Sequence, residues 1–415
     1  MIAKTPPMGW NSWDCYGAAV TEETVRKNAD YMAKYLKQYG WEYIVVDIQW
    51  ACETSSGHAY DPFAVLTMDG YGRLTPALNR FPSAAGGKGF RLLADYVHAL
   101  GLKFGIHIMR GMPRMAAHQR MPIEGSGYTC DRAANPHSIC MWNPDMYGLH
   151  CERPEARAYY DSIFRLYASW GVDFVKCDDI AREYPHCRRE IELISESCRR
   201  CGRDMVLSLS PGPAPLEQAE HLKKYANMWR ITDDVWDDWR LLKAMFERAE
   251  KWCIHAAPGH WPDADMLPVG ALRQCDSPDG WTRFTKAEQR TMVSLWCMMR
   301  SPLMIGGEMT KNDEFTLDLL TRRDVLEIEK ETSCAHPLRT TEEESVWIAP
   351  RKDGQGLYLA LFNLTDKKRA VTVRAEDAEL PAFSGQELWT GKTVRKAKQL
   401  RTVLAPHDTA VWRVM

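Results

Sequence analysis

Eight times between Met8 and about Leu320 the chain passes from a short apolar run through a loop into an amphipathic stretch, and this repeat restricts the fold more than any other feature. The expected strands are Met8 to Trp13, Tyr43 to Trp50, Phe104 to Met109, Phe174 to Asp178, Val206 to Ser210, Met228 to Thr232, Asp263 to Leu267 and Leu303 to Gly306. Apolar residues at helical spacing fall between them, in Glu22 to Gln38, Phe90 to Ala99, Glu155 to Trp170, Arg188 to Cys201, Leu216 to Tyr225, Trp239 to His255, Lys286 to Met299 and Asn312 to Leu320. Strands alternating with helices make parallel sheets, because a parallel neighbour needs a crossover long enough to hold a helix. Eight units in about 310 residues fit a closed (β/α)8 TIM barrel rather than an open sheet.

Past Arg323 the pattern changes. Ser345 to Ala349, Gly356 to Asn363, Ala370 to Arg374, Ser384 to Trp389, Gln399 to Leu404 and Thr409 to Val414 alternate polar and apolar residues between Gly, Asp and Lys turns, which predicts antiparallel strands. The expected organisation is therefore α/β, with a (β/α)8 barrel over 1–322 and a C-terminal antiparallel β-sandwich over 323–415. The sandwich is expected to cap the barrel and to carry no chemistry.

In such a barrel the loops at the C-terminal ends of the strands form the concave face. The sequence places ionisable and aromatic residues at that end of six strands: Trp10-Asn11-Ser12-Trp13, Asp47-Ile48-Gln49-Trp50, His107, Lys176-Cys177-Asp178-Asp179, Arg230 to Asp234, and Trp261-Pro262-Asp263-Ala264-Asp265-Met266. One Asp after a strand is usually a helix cap or a turn residue. Convergence at one end changes that reading, and two carboxylates on different strand ends are what glycosidic bond cleavage uses.

Lys and Arg number 53 against 55 Asp and Glu, so no net field draws in nucleic acid or an anionic membrane, and a neutral substrate is expected. The 16 tryptophans and 16 tyrosines suit sugar faces as well as a large core. No apolar run reaches about 18 residues, and Met1 to Pro7 has no basic-then-apolar leader. The 13 cysteines lack paired spacing, which predicts free thiols in a reducing cytoplasm. Asn363-Leu364-Thr365 matches a glycosylation sequon and is taken as a chance match. The long connection from Arg110 to about Arg153 holds Cys130, His137, Cys140, His150 and Cys151, but their spacings match no zinc pattern. It is expected to wall a substrate pocket, with Trp142 among the contacts.

Five ordered motifs make the resemblance specific. Pro7-Met8-Gly9-Trp10-Asn11-Ser12-Trp13, Tyr43 to Trp50, Lys176-Cys177-Asp178, Trp229-Arg230 with Asp234, and Pro258-Gly259-His260-Trp261-Pro262-Asp263-Ala264-Asp265-Met266-Leu267 resemble family 27 glycoside hydrolases, the α-galactosidase family, over nearly the whole chain. Leu404-Ala405-Pro406-His407-Asp408 resembles that family's C-terminal β-domain. The resemblance implies Asp178 as nucleophile and Asp234 as general acid/base, with Asp179 and Asp233 the positions most easily confused with them. It also implies Lys176 and Arg230 as ligands of ring hydroxyls, and Trp13, Asp47, His107 and Asp265 as lining of the subsite. A retaining double displacement needs neither a metal nor an organic cofactor. The oligomeric state stays open, a homo-oligomer included.

Two positions depart from the family pattern. Most α-galactosidases of the family resemble one another in having two consecutive aspartates after strand two, and here the second is Ile48. Isoleucine accepts no hydrogen bond from a hydroxymethyl group, so Ile48 favours β-L-arabinopyranose, which has the galactose ring stereochemistry without that carbon. The alternative is that Ile48 points into the core and another residue serves the hydroxymethyl group. Ser210 stands where the family places a glutamate near the 2-hydroxyl, resembling the α-N-acetylgalactosaminidase branch. The expected function is thus a β-L-arabinopyranosidase with some α-galactosidase activity, then an α-galactosidase proper, then an α-N-acetylgalactosaminidase. A non-catalytic sugar-binding barrel is the reading from another class.

Overall fold

The computed structural model describes residues 1–61 and 64–415. Its barrel strands are β1 Met8–Asn11, β2 Tyr43–Val46, β3 Lys103–Met109, β4 Phe174–Asp178, β5 Val206–Leu209, β6 Met228–Arg230, β7 Trp261–Asp263 and β8 Leu303–Ile305. All pair in parallel, in the order β7-β6-β5-β4-β3-β2-β1-β8. A parallel bridge between Leu267 and Ile305 joins the two ends of the sheet. There Leu267 N donates to Met304 O at 2.7 Å and Gly306 N to Leu267 O at 3.0 Å. Around it run α1 Glu22–Tyr31, α2 Arg91–Ala99, α3 Pro154–Trp170, α4 Arg188–Arg200, α5 Ala219–Tyr225, α6 Trp239–Trp252, α7 Lys286–Met299 and α8 Glu314–Thr321. None of the described helices is long and apolar enough to cross a membrane.

The seventh strand differs from expectation. Its regular pairing covers Trp261–Asp263, earlier than Asp263 to Leu267, because Asp265 takes φ +83° and turns the chain out of the ladder before Leu267 rejoins it. The Arg110 to Arg153 connection is not a bare loop. It contains short helices and a small antiparallel sheet of Met112–Pro113, Met146–Leu149 and Ala134–Ile139.

Alternation along the strands decides what faces the barrel axis. Tyr43, Val45, Phe174, Val206, Met228, Trp261 and Met304 form one apolar cluster in the lower barrel, whereas Ile44, Val46, Val175, Cys177, Leu207 and Trp229 pack with the core shared by the helices. Continuing the inward phase upward from Tyr43 gives Asp47, from Phe174 gives Lys176 and Asp178, from Val206 gives Ser208 and Ser210, and from Met228 gives Arg230. Gly105 belongs to this packing, since an added Cβ would lie 2.9 Å from both Phe174 Cβ and Val45 Cγ2.

The C-terminal strands are β9 His336–Thr340, β10 Glu344–Pro350, β11 Leu357–Asn363, β12 Arg369–Arg374, β13 Phe383–Glu387, β14 Thr393–Ala397, β15 Gln399–Leu404 and β16 Thr409–Val414. Six form an antiparallel sheet in the order β9-β10-β11-β16-β13-β14, and β12 pairs with β15 as a second layer. Val346, Leu359, Leu361, Val371, Val373, Leu400 and Trp412 fill the space between layers. Trp347, Tyr358, Ala360, Phe362 and Val411, on the opposite phase, join the core of the barrel. Both faces of β11 are therefore buried, which explains its unbroken apolar run. Asn363, the sequon residue, is fully buried and its Nδ2 donates to Lys367 O and Ala405 O at 2.8 and 2.7 Å.

His407 fastens the sandwich to the barrel. Its ring stacks on Trp239 at 3.8 Å and 12°, Nδ1 meets Glu288 Oε1 at 2.7 Å, and Nε2 meets Asp366 Oδ1 at 2.8 Å. Beside it Arg290 pairs with Asp408 at 3.0 Å. His407→Ala removes the stack and both polar contacts, and should cost about 1–3 kcal/mol in urea unfolding. An unchanged midpoint would show that this junction contributes little.

Candidate active site

The inward phase of β2, β4 and β6 brings four charged residues to the upper end of the barrel. Lys176 Nζ lies 2.8 Å from Asp47 Oδ2 and 4.0 Å from Asp178 Oδ2. Asn11 Nδ2 donates to the same Asp47 oxygen at 2.8 Å, and the Ile48 amide donates to Asp47 Oδ1 at 2.8 Å. Burial alone would raise the Asp47 carboxyl, but Lys176 and then His107 bring it below its ordinary value.

Asp178 is held more firmly. Its Oδ2 accepts from His107 Nε2 at 3.0 Å and its Oδ1 accepts the Asp179 amide at 3.1 Å. Burial pushes the carboxyl up, yet the His107 hydrogen bond and the Lys176 charge outweigh it and hold Asp178 well below the carboxylate range. Ser210 Oγ faces the same carboxyl and lowers it further, without completing a hydrogen bond of normal geometry. Asp178 is thus an ionised carboxylate in a buried setting. Lys176 is pushed up in turn, against its burial, by Asp47 and Asp178.

Asp234 lies in a different environment. Its side chain is 53% exposed against 12% for Asp178. Arg230, itself 4% exposed, reaches Asp234 Oδ1 through Nη2 at 3.0 Å and Asp265 Oδ1 through Nη1 at 2.7 Å. Asp265 Oδ2 accepts the Val235 amide at 2.7 Å, tying the loop after β6 to the loop after β7. Burial raises the Asp265 carboxyl, Arg230 lowers it, and Asp234 and Asp263 raise it again, leaving it at about 7.

The neighbouring aspartates turn elsewhere. Asp179 Oδ2 pairs with Arg110 Nη2 at 2.9 Å, beneath the long connection, and Asp233 Oδ2 pairs with Arg182 Nη1 at 2.9 Å on the surface. Gln49, Asp179 and Asp265 all adopt positive φ (60°, 61° and 83°), the residues at which β2, β4 and β7 leave the barrel. Such strain, of order 1–3 kcal/mol per residue, concentrates where strand ends are bent to serve a site.

The cleft over these groups is lined by Trp13, Asp47, Lys176, Asp178, Arg230, Asp234 and Asp265. Asp14, Tyr60 and Trp236 line it as well and were not anticipated from the sequence. Asp14 was readable in principle, as the next residue after Trp13 on the first strand's loop, and its Oδ2 is buried without a hydrogen-bond partner among the described residues. Burial, Asp265 and Asp234 push its carboxyl well up. Tyr60 lies in a loop without a strand pattern, so only the fold reveals it. Trp13 and Tyr60 stack at 5.6 Å and 9°, and Tyr60 meets Trp142 at 5.1 Å.

Four expected residues stand just off this lining. His107 supports Asp178 from behind, Trp142 contacts the aromatic pair, and Ser210 lines the chamber below with Ser208 and Arg230. Ile48 is 2% exposed in an apolar group with Leu66, Met109, Cys140 and Met146, on which Trp13, Tyr60 and Trp142 pack. This group abuts the cleft through Trp13 and Tyr60 and borders a hollow that also includes Gln49, His107, Asn143 and Asp145. A larger hollow among Met1 to Thr5, Lys103, Asp173 and Asp204 opens at the opposite end of the barrel, away from the C-terminal strand ends.

Comparison with known proteins agrees with the arrangement. The family model described as alpha galactosidase A matches residues 5–147 and 144–331, and the alpha galactosidase C-terminal beta sandwich domain matches 341–414. The crystal structure of a family 27 β-L-arabinopyranosidase from Geobacillus stearothermophilus is 51% identical over 99% of this chain and 96% of that one, with a TM-score of 0.96. A putative α-N-acetylgalactosaminidase from Bacillus halodurans is 48% identical, covering 100% of this chain and 98% of that one, with a TM-score of 0.90. An α-galactosidase from Coffea arabica is 28% identical over 99% of this chain and 94% of its own length.

The raised Asp265 carboxyl has a pH consequence. An unfolded aspartate titrates near 3.9, about three units below the folded value, so the folded state holds the proton more tightly. That stabilisation is complete below about pH 3.9 and is lost as pH rises through about 7. Asp265→Asn cannot ionise, so the stability of the wild type relative to this variant should fall between about pH 4 and pH 8 in urea unfolding. A pH-independent difference would contradict the assigned carboxyl.

Proposed function

This chain belongs to the α-galactosidase family, glycoside hydrolase family 27, and we propose that it is a retaining exo-glycosidase for terminal sugars of galacto configuration, with β-L-arabinopyranosides as preferred substrates. The observation that carries the reaction is the contrast between two carboxyl groups on separate strand ends. Asp178 is buried and kept ionised by His107 and Lys176, whereas Asp234 stands at the open side of the cleft. Asp178 attacks the anomeric carbon, the bond from that carbon to the leaving oxygen breaks, and Asp234 delivers its proton to that oxygen. Water then attacks the glycosyl-enzyme while Asp234 takes a proton, and the sugar leaves Asp178. Retention requires the carboxyl groups to lie about 5 to 5.5 Å apart. Lys176, Asp47, Arg230 and Asp265 offer fixed charges to ring hydroxyls, and Trp13 offers a flat apolar face.

Ile48 supports the pentose. A carboxylate at this place would accept from a hydroxymethyl group, whereas Ile48 sits among apolar side chains next to Asp47. The Geobacillus enzyme, a β-L-arabinopyranosidase similar to this chain over nearly its full length, supports the same choice. A second structure of that protein, a variant, holds arabinose. Apolar sites reject an added hydroxyl only about a hundredfold, so α-galactoside hydrolysis persists as a side activity. One observation favours galactosides as a second reading: Asn143 and Asp145, beside Ile48, carry buried polar atoms that complete no normal hydrogen bond among the described residues and could receive the hydroxymethyl group. Ser210 and the Bacillus halodurans neighbour favour N-acetylgalactosamine as a third.

Asp178→Ala should lower turnover of an aryl β-L-arabinopyranoside by at least about a thousandfold, since both displacement steps pass through this carboxylate. A 2-fluoro glycosyl fluoride should label Asp178 in the wild type, as read by peptide mass spectrometry; near-normal turnover of the variant would remove the assignment. For the sugar, kcat/KM on aryl β-L-arabinopyranoside, α-D-galactoside and α-N-acetylgalactosaminide should rank in that order. Ile48→Asp should then shift the ratio of the first two towards galactoside by about tenfold or more. An unchanged ratio would mean that Ile48 does not select the sugar.

A further inference from the structure

At the rim of the cleft, the loops after β2 and β7 bring His58, Cys275 and Asp276 together. His58 Nδ1 lies 2.5 Å from Asp276 Oδ2 and 3.6 Å from Cys275 Sγ, and the three donor atoms all fall within 4.8 Å of one another. The other nitrogen fixes the chemistry. His58 Nε2 is 2.9 Å from the Trp13 carbonyl oxygen, which can only accept, so Nε2 carries the hydrogen. In neutral imidazole that leaves Nδ1 as a lone pair, directed at a carboxylate and a thiol. At 2.5 Å this nitrogen and the Asp276 oxygen share a proton, which a metal ion bound to the same atoms would displace. A histidine whose far N–H is held by a backbone carbonyl is also the usual arrangement of a metal-bound imidazole.

We propose that His58, Cys275 and Asp276 form a binding site for a thiophilic divalent cation, zinc above all, which clasps the rim of the substrate cleft. Imidazole nitrogen, thiolate sulfur and carboxylate oxygen are the zinc donor set, with bonds of about 2.0–2.3 Å and a fourth position left for water. Ligand atoms on one tetrahedral zinc stand about 3.3–3.6 Å apart by the same bond lengths. The His58–Cys275 separation already matches, and Asp276, half-exposed at 49%, has room to move outward by less than about 1 Å. Binding releases the Cys275 thiol proton and the proton shared by His58 and Asp276 to solvent and forms three bonds to the ion, with no change of oxidation state.

The loops are already positioned for this. The Gln274 amide donates to Cys15 O at 2.6 Å, the Ala18 amide to Gly57 O at 2.8 Å, and Ser55 Oγ to Ala18 O at 3.0 Å, so both ligand-bearing loops rest on the loop after β1. His58 also meets the rings of Trp13 at 5.3 Å and Trp236 at 5.5 Å, both of which line the cleft. A bound ion would therefore fix the aromatic rim, and it takes no part in the displacement at Asp178. The three ligands escape a sequence reading because 217 positions separate His58 from Cys275.

The test uses the full chain stripped with chelator and titrated with Co2+, then with Zn2+ in competition. One equivalent should bind with a thiolate-to-cobalt charge-transfer band, and Zn2+ should abolish the band and raise Tm. Cys275→Ser should lose the band and the Tm response, and Asp276→Asn, on the exposed side, should weaken binding at least tenfold. Cys334→Ser, at the one exposed cysteine among the described residues, should behave as wild type. Absence of the band in wild type, its survival in Cys275→Ser, or its loss in Cys334→Ser would each overturn the site, and would leave His58 as an imidazolium paired with Asp276.

Discussion

Lys176 is the charge on which the upper barrel depends. It is buried between Asp47 and Asp178, and without it two carboxylates would share a low-dielectric interior with no cation in contact. Arg230 does the same for Asp234 and Asp265 on the opposite wall. The two cations do not neutralise the whole cluster, which also holds Asp14 and Asp263, and burial raises the carboxyls of both. The result is a graded set: Asp178 firmly ionised, Asp265 poised near 7, Asp14 displaced upward. Such separation of carboxyl groups by environment is what acid–base chemistry at one pH requires.

That electrostatic arrangement rests on packing lower down. The inward residues Tyr43, Phe174, Met228 and Trp261 form an apolar plug under the charges, and each charged side chain stands on the same strand phase as one of them. A slip of one residue in β4 would send Val175 and Cys177 inward and turn Lys176 and Asp178 towards the helices. The apolar plug therefore sets the register of the charged layer as well as contributing stability. The C-terminal sandwich adds to this from outside, since Trp347, Tyr358 and Phe362 extend the same core that surrounds α6 and α7.

Legibility followed the physical strength of each signal. All eight barrel strands, the seventh set a few residues late, and their helices were visible as alternating apolar periods, and charged residues converged because strand ends in a barrel point at one place. The C-terminal strands that escaped, β9 and β14, are the two edges of their sheet, where Pro337 and the charged pair Arg395 and Lys396 obscure the apolar alternation, as sheet edges commonly do. Tyr60 and Trp236 escaped because loops have no period, and the contact that brings each ring into the cleft is long-range. The family resemblance had already favoured Asp178 over Asp179, and the fold adds that Arg110 draws Asp179 away from the cleft.

The same strand geometry separates the two tasks of the site. Asp47 and Ile48 are consecutive, yet the first points at Lys176 on the barrel axis and the second packs with Met109 and Met146 to one side. A change at position 48 alters the hollow beside Trp13, Tyr60 and Trp142 while leaving the Asp47–Lys176–Asp178 chain in place. Substitution at position 47 would leave Lys176 buried beside a single carboxylate and disturb Asp178 directly. The hollow at position 48 can therefore change within this fold at little electrostatic cost, while Asp47, Lys176 and Asp178 stay fixed by the charges around them.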